Sequence, residues 1–384
     1  MADGERDKSN AGTVVNQGQG QSHSLSLSES QGLGGPSSTA GDIGARKSEH
    51  IDIVMSGAVQ AHAVTTGFEL IRFEHAAAPE IDCDAIDLST VFLGRRLKAP
   101  FLISSMTGGP MRAAGINAAL AEAAEEKGLA LAVGSQRIAL EGAGDGGMTN
   151  DLRRRAPSVP ILGNIGAAQL RVAGGLDIAR RAVDMIEADA LIIHLNPLQE
   201  AVQAGGDRNW TGVLNAIEAF VRALPVPVVV KEVGCGISGG LARQLSDMGV
   251  TVIDVAGAGG TSWAAVEAER ALSMRDREIA SAFRDWGIPT ADAIVAVRAA
   301  CPGTTLIASG GLKTGIDAAK AIRLGADLAG FAAGILPAAI DSTAALVTRF
   351  EVLAEQLRVC CFATGSIDLA ALRRAPLATS PSAR

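Results

Sequence analysis

Eight short apolar runs recur at Ala99–Ser105, Leu129–Ser135, Val159–Gly166, Ala190–Asn196, Val226–Gly234, Val250–Gly257, Thr304–Gly311 and Leu328–Gly334, and nothing else restricts the architecture of this chain as much. Most lack polar alternation, so each needs apolar neighbours on both faces. Between most of them lie stretches of helical period: Ala113–Lys127, Leu176–Ala188, Trp210–Ala223, Gly240–Met248, Thr290–Ala300 and Thr314–Leu324. Apolar strands alternating with helices specify a parallel sheet covered on its outside. Eight units within residues 99–334 suit a closed TIM (β/α)8 barrel of the α/β class better than an open doubly wound sheet.

Polar residues gather where those strands end. In order they are Ser104–Gly109, Ser135-Gln136-Arg137, Asn164, His194 with Asn196, Lys231, Ala256-Gly257, Ser309-Gly310-Gly311 and Ala333-Gly334. In a barrel the C-terminal rim carries the chemistry. The fourth run shows it best: Leu191-Ile192-Ile193 stops in His194-Leu195-Asn196-Pro197-Leu198-Gln199-Glu200. Alternation puts His194 and Asn196 on one face, and Pro197 ends the pairing and releases Gln199 and Glu200 into a loop.

Two glycine turns, Gly257–Ser262 and Ser309-Gly310-Gly311, let backbone amides approach an anion, and the helix starting at Thr314 adds its positive end. Barrels often grip phosphate with the loops after strands seven and eight. Thr261 and Ser262 add hydroxyl donors. A cluster of positive character, Arg46-Lys47 with His50 one turn later, opens the core-forming part of the chain and suits a polyanion.

Composition narrows the partners. With 384 residues, 48% of them hydrophobic, the chain can bury a large core. Its net charge of −7 carries no nucleic-acid footprint. Its five cysteines form no CxxC or metal spacing, which reads as reduced thiols in the cytoplasm. No apolar run reaches the roughly twenty residues of a membrane span. Residues 1–44, rich in Gly, Ser and Gln, read as a disordered leader, 45–366 as the barrel domain and 367–384 as a loose tail. Within the lead-in from Arg72 to Pro100, Ile86, Leu88, Val91, Phe92 and Leu93 are expected to pack a lid or the barrel bottom.

Taken together, Arg46-Lys47-x-x-His50, Ser104–Gly109, Gly134–Arg137, Gly163-Asn164, His194–Glu200, Lys231–Gly234, Gly259–Trp263 and Ser309–Gly311 resemble, in order and spacing, the flavin-dependent type 2 isopentenyl diphosphate isomerases. The resemblance runs from about Arg46 to Phe362. It implies a barrel that binds FMN and converts isopentenyl diphosphate into dimethylallyl diphosphate. It also implies Mg²⁺ and a flavin kept reduced by NAD(P)H or another reductant, although the isomerisation is redox-neutral. Ser105, Met106, Thr107, Ser135, Asn164, Lys231, Thr261, Gly310, Gly311, Ala333 and Gly334 would surround FMN. Arg46, Lys47, His50, Arg137 and Asn196 would take the diphosphate, with Gln199 over the hydrocarbon and Glu200 on the metal. The family implies a homo-oligomer, tetramer or octamer, whose Arg46-Lys47 arm is lent to a neighbouring subunit.

Moving a double bond needs one proton delivered and another removed two carbons away, and ordinary side chains protonate alkenes poorly at neutral pH. A reduced flavin offers N5 and an electron-rich face for this. Lys231 would stabilise its anionic ring, Gln199 would assist proton transfer, and His194 would hold the substrate or a nearby polar network. Other readings compete. An FMN-dependent α-hydroxy acid oxidase shares the barrel and the strand-end lysine but uses tyrosines and a late histidine; this chain has no tyrosine, and its last histidine is His194. A dehydrogenase of the IMP type would use a loop cysteine, for which Cys235 is the candidate. A non-catalytic FMN-binding protein is the third reading.

Overall fold

All eight apolar runs form strands in the computed structural model, which describes residues 49–378 except 51, 56, 107–109 and 143. They are β1 (Phe101–Ile103), β2 (Ala130–Ala132), β3 (Ile161–Gly166), β4 (Ala190–Leu195), β5 (Val228–Glu232), β6 (Val252–Asp254), β7 (Thr305–Ala308) and β8 (Leu328–Phe331). Neighbours in sequence pair in parallel and β8 returns to β1, closing the TIM barrel. Register lays Lys231 of β5 between His194 of β4 and Asp254 of β6. The leader 1–44, Arg46, Lys47, Thr107 and residues 379–384 lie outside the described residues.

Two apolar layers hold the barrel. Inside, small and branched residues such as Leu102, Ala130, Leu162, Ile192, Val229 and Ile307 fill the bore, where cutting a buried leucine to alanine costs about 2–5 kcal/mol. Outside, the strands' other faces meet helices Pro110–Lys127, Gly175–Met185, Val213–Ala223, Gly239–Asp247, Thr290–Ala300, Gly315–Leu324 and Thr343–Ala363. Gly315 permits a close helix crossing, since a Cβ there would meet Leu353 O at 2.2 Å. Among the described residues no helix is long and apolar enough to cross a membrane.

The lead-in closes the bottom. Thr90–Phe92 and Arg95–Leu97 form an antiparallel hairpin whose Phe92 and Leu97 join the interior cluster. Ile86 and Leu88 are also buried, and Leu93 packs partly against the bore. Val91 does not pack: alternation turns it to solvent, 67% exposed, as Phe92 turns inward. The expected loose tail is docked as far as Ala378. Leu369, Leu372 and Ala375 are buried, and Pro376 O and Arg72 O pair with Glu74 N and Ala378 N at 3.0 and 2.9 Å.

Candidate active site

The strand ends open into one cavity of about 470 Å³, within the size range of cofactor pockets. Every expected site residue that the structure describes lines it: Ser105, Met106, Ser135, Asn164, Lys231, Thr261, Gly310, Gly311, Ala333 and Gly334, expected for the cofactor, and His50, Arg137, His194, Asn196, Gln199 and Glu200, expected for the substrate, the metal or the proton transfer.

β4 ends in a helix rather than the expected loop. Pro197 stops the ladder but occupies the first position of helix Pro197–Val202, where its fixed φ and missing N–H fit. Glu200 N and Gln203 N donate to Asn196 O and Gln199 O at 3.0 and 2.9 Å. That rigid turn fixes a network. Asn196 Nδ2 donates to Gln199 Oε1 and Glu200 Oε1, both at 3.1 Å, and Asp207 N donates to Glu200 Oε2 at 2.7 Å.

Gln199 Nε2 donates to Glu267 Oε1 at 3.0 Å. Glu267 is buried on helix Trp263–Arg270, where Arg270 Nη1 donates to its Oε2 at 2.8 Å and His50 Nε2 stands 3.6 Å from its Oε1. Burial pushes this carboxyl up, but contacts from His50 and Gln199 and the charges of His50 and Arg270 outweigh it, so it sits below the usual range. The sequence reading missed Glu267. Trp263, which lines the cavity and meets the His50 ring edge-on at 5.2 Å, was in a recognised motif; helical spacing from Trp263 puts Glu267 on the same face.

At the end of β5, Lys231 is buried and its Nζ donates to Glu232 O at 2.5 Å. Glu232 Oε2 accepts the amides of Val233 and Gly234 at 2.6 Å each, and that of Cys235, which fixes the loop leaving β5. Burial nevertheless pushes Glu232 up to about 7. His194 Nδ1 pairs with Asn164 Oδ1 at 2.8 Å while Asn164 Nδ2 donates to Val133 O at 3.0 Å, so Asn164 orients the histidine as well as lining the cavity. Ala256, ending the sixth unit, holds φ +36°, a strained backbone of the kind that clusters at functional rims.

The glycine turns press together: a Cβ on Gly310 would meet Gly257 O at 2.2 Å, and one on Gly260 would meet Gly311 N at 2.7 Å. Thr290 Oγ1 donates to Gly310 O at 2.7 Å and reaches Ala258 O at 3.2 Å. The positive end of helix Gly315–Leu324, expected to serve an anion, is engaged by the protein itself. Asp317 Oδ2 takes the amides of Lys313 and Thr314 at 3.0 and 2.9 Å, and Gln356 Oε1 takes that of Gly315 at 2.7 Å.

FMN fits this arrangement. Ser104 Oγ and Ser105 Oγ, both of cavity-lining residues, are buried and have no partner among the described residues, as polar groups completed by a ligand would be. The described residues hold no group of three or more His, Cys, Asp or Glu able to cage a metal, so the site offers Mg²⁺ a single carboxylate, Glu200. Cys235 does not suit the IMP-dehydrogenase type of nucleophile, because burial and then the Glu232 charge push its thiol up to about 12.

The profile described as FMN-dependent dehydrogenase matches residues 193–379. An isopentenyl-diphosphate delta-isomerase of Xanthobacter autotrophicus is 63% identical over 336 residues, covering 88% of this chain and 98% of its own. One of Stutzerimonas stutzeri is 64% identical over 333 residues (87% and 96%), and one of a Synechocystis species 48% over 332 (86% and 95%). A solved mandelate oxidase bound to (S)-2-phenylpropionate superposes with a TM-score of 0.62 over 89% of this chain and 98% of that one, a likeness of fold at 19% identity.

Proposed function

Since the chain belongs to the isopentenyl-diphosphate delta-isomerases, of the kind built on an FMN-dependent dehydrogenase barrel, we propose that its strand-end cavity is where isopentenyl diphosphate becomes dimethylallyl diphosphate. One observation carries the reading: groups suited to a diphosphate, groups suited to a flavin and the Gln199–Glu267 pair all open into the same cavity or adjoin it.

In this reading Ser105, Met106, Ser135, Asn164, Lys231, Thr261, Gly310, Gly311, Ala333 and Gly334 hold FMN, with Thr107 beside them in sequence. Reduced FMN would supply an electron-rich face toward developing positive charge and an exchangeable proton at N5. Lys231 would offer a positive charge to the reduced flavin and so favour its anionic form. His50, Arg137 and Asn196 receive the diphosphate, with Arg46 and Lys47 preceding them in the chain. Glu200 would hold Mg²⁺, which would supply positive charge to the substrate's diphosphate.

Gln199 is nearly non-basic and is held from both sides, by Asn196 at its oxygen and Glu267 at its nitrogen. That fixes where its amide points over the hydrocarbon, with an ionised carboxylate, held below its usual range, anchoring it from directly behind. His194, oriented by Asn164, holds the substrate side of the network. NAD(P)H as the usual reductant, a cytoplasmic homo-oligomer (tetramer or octamer), a catalytic domain at 45–366 and a dispensable leader complete the reading.

The test is direct. Purified protein with FMN, NADPH, Mg²⁺ and isopentenyl diphosphate under argon should yield dimethylallyl diphosphate, and chelating the metal should stop it. No product from protein carrying stoichiometric flavin would leave the cavity a flavin site without this chemistry.

A further inference from the structure

Two adjacent side chains, Arg284 and Asp285, grip the backbone of a segment lying far earlier in the sequence. Arg284 Nη1 donates to Ala58 O at 2.8 Å and Gln60 O at 3.4 Å. Asp285 Oδ1 accepts the amides of His62, Ala63 and Val64 at 2.6, 2.9 and 3.3 Å. Those amides hold the Asp285 carboxyl below its usual range. Apolar burial does not do this job: within 58–64 only Val59 is buried.

The other edge of the segment lies on the sixth unit's glycine turn. Ala61 N donates to Gly260 O at 3.1 Å, Ser262 N donates to Val59 O at 2.8 Å, and Gln60 bridges Thr261. Val59 and Gln60 line the cavity, as do Val54 and His50 just before them, so the segment is a wall of the site. The loop after Asp285 runs to Thr290, whose hydroxyl holds the glycine turns. On its way, Ile288 N donates to Cys235 O at 2.9 Å.

We propose that Arg284 and Asp285 are positioning residues, a two-residue clasp that holds the 58–64 strap and thereby His50 in place for the diphosphate, while Thr290 at the far end of the same loop sets the flavin-side glycine turns. The clasp rests on reading the His50 side of the cavity as the diphosphate side. It divides the loop's work. One end serves the substrate and the other the cofactor.

The experiment compares wild type with Arg284→Ala, Asp285→Ala, Asp285→Asn and Thr290→Val as FMN-loaded proteins. Each clasp alanine should raise KM for isopentenyl diphosphate about tenfold, the scale of a lost hydrogen bond to a charged group, with kcat and FMN affinity within about twofold. Asp285→Asn, which keeps an acceptor oxygen, should fall between. Thr290→Val should weaken FMN binding and leave KM unchanged at saturating flavin. Deuterium exchange at the amides of His62, Ala63 and Val64 should be slow in wild type and fast in Asp285→Ala.

Free exchange at those amides in wild type would overturn the clasp without any variant. So would fast exchange in Asp285→Ala with KM unchanged, or equal losses of FMN affinity and KM in all four variants. A wild type whose amides are protected as expected but which binds no isopentenyl diphosphate would contradict the assignment of the cavity instead.

Discussion

Gln199 and Glu267, on helices leaving different barrel units, meet at 3.0 Å between amide nitrogen and carboxylate oxygen. The amide faces the cavity and the carboxylate is buried behind it. Gln199→Ala should therefore lower kcat by roughly a hundredfold with little change in KM. Glu267→Gln keeps the shape but removes the carboxylate charge that anchors the Gln199 amide, so its loss should also sit in kcat. FMN titration of both variants should match wild type. A defect confined to KM would make the pair a substrate contact only.

Glu200 stands one residue along the same turn and should fail differently. Its oxygens are shared with Asn196 and the Asp207 amide, which orient the carboxylate without neutralising it. Glu200→Gln should lose activity that rising Mg²⁺ partly restores, whereas Gln199→Ala should gain nothing from added metal. Rescue in the opposite order would exchange the two roles.

Lys231 is buried and lines the cavity. Its replacement by alanine should weaken FMN binding by about tenfold or more and alter the absorption spectrum of the reduced flavin, measured by anaerobic titration. Unchanged affinity and spectrum would place the ring elsewhere.

Glu232 predicts a pH effect. In the unfolded chain its carboxyl titrates near 4.5, whereas burial holds the proton in the fold until about 7. The folded state binds that proton more tightly, so this group's stabilisation is fully present below about 4.5 and is lost as pH rises to about 7. Relative to Glu232→Gln, wild type should lose on the order of 3 kcal/mol across that window in denaturant melts. A difference that stays flat with pH would mean the three backbone amides hold the ionised form throughout.

The barrel was legible because each strand is a compact apolar run, and Ala190–Leu195 and Thr290–Ala300 form close to where the pattern puts them. Helix Thr343–Ala363 was missed although Leu346, Phe350, Leu353, Leu357 and Cys361 recur at helical spacing, because the reading stopped at the eighth strand. The helices Trp263–Arg270 and Met274–Ser281 were missed as well, and Glu267 with them. Pro197 misled for another reason: a residue that ends a strand is equally suited to begin a helix. The clasp at Arg284 and Asp285 had no sequence signal, since it depends on which surface backbone happens to lie opposite.

In the proposed function, this cavity isomerises its substrate through a reduced flavin. The measurement closest to this is turnover of isopentenyl diphosphate by one FMN-loaded preparation under argon, assayed before and after photoreduction and again after readmitting air. Dimethylallyl diphosphate should form only while the flavin is reduced, with no net consumption of reductant per turnover. Equal turnover with oxidised or removed flavin would contradict the account.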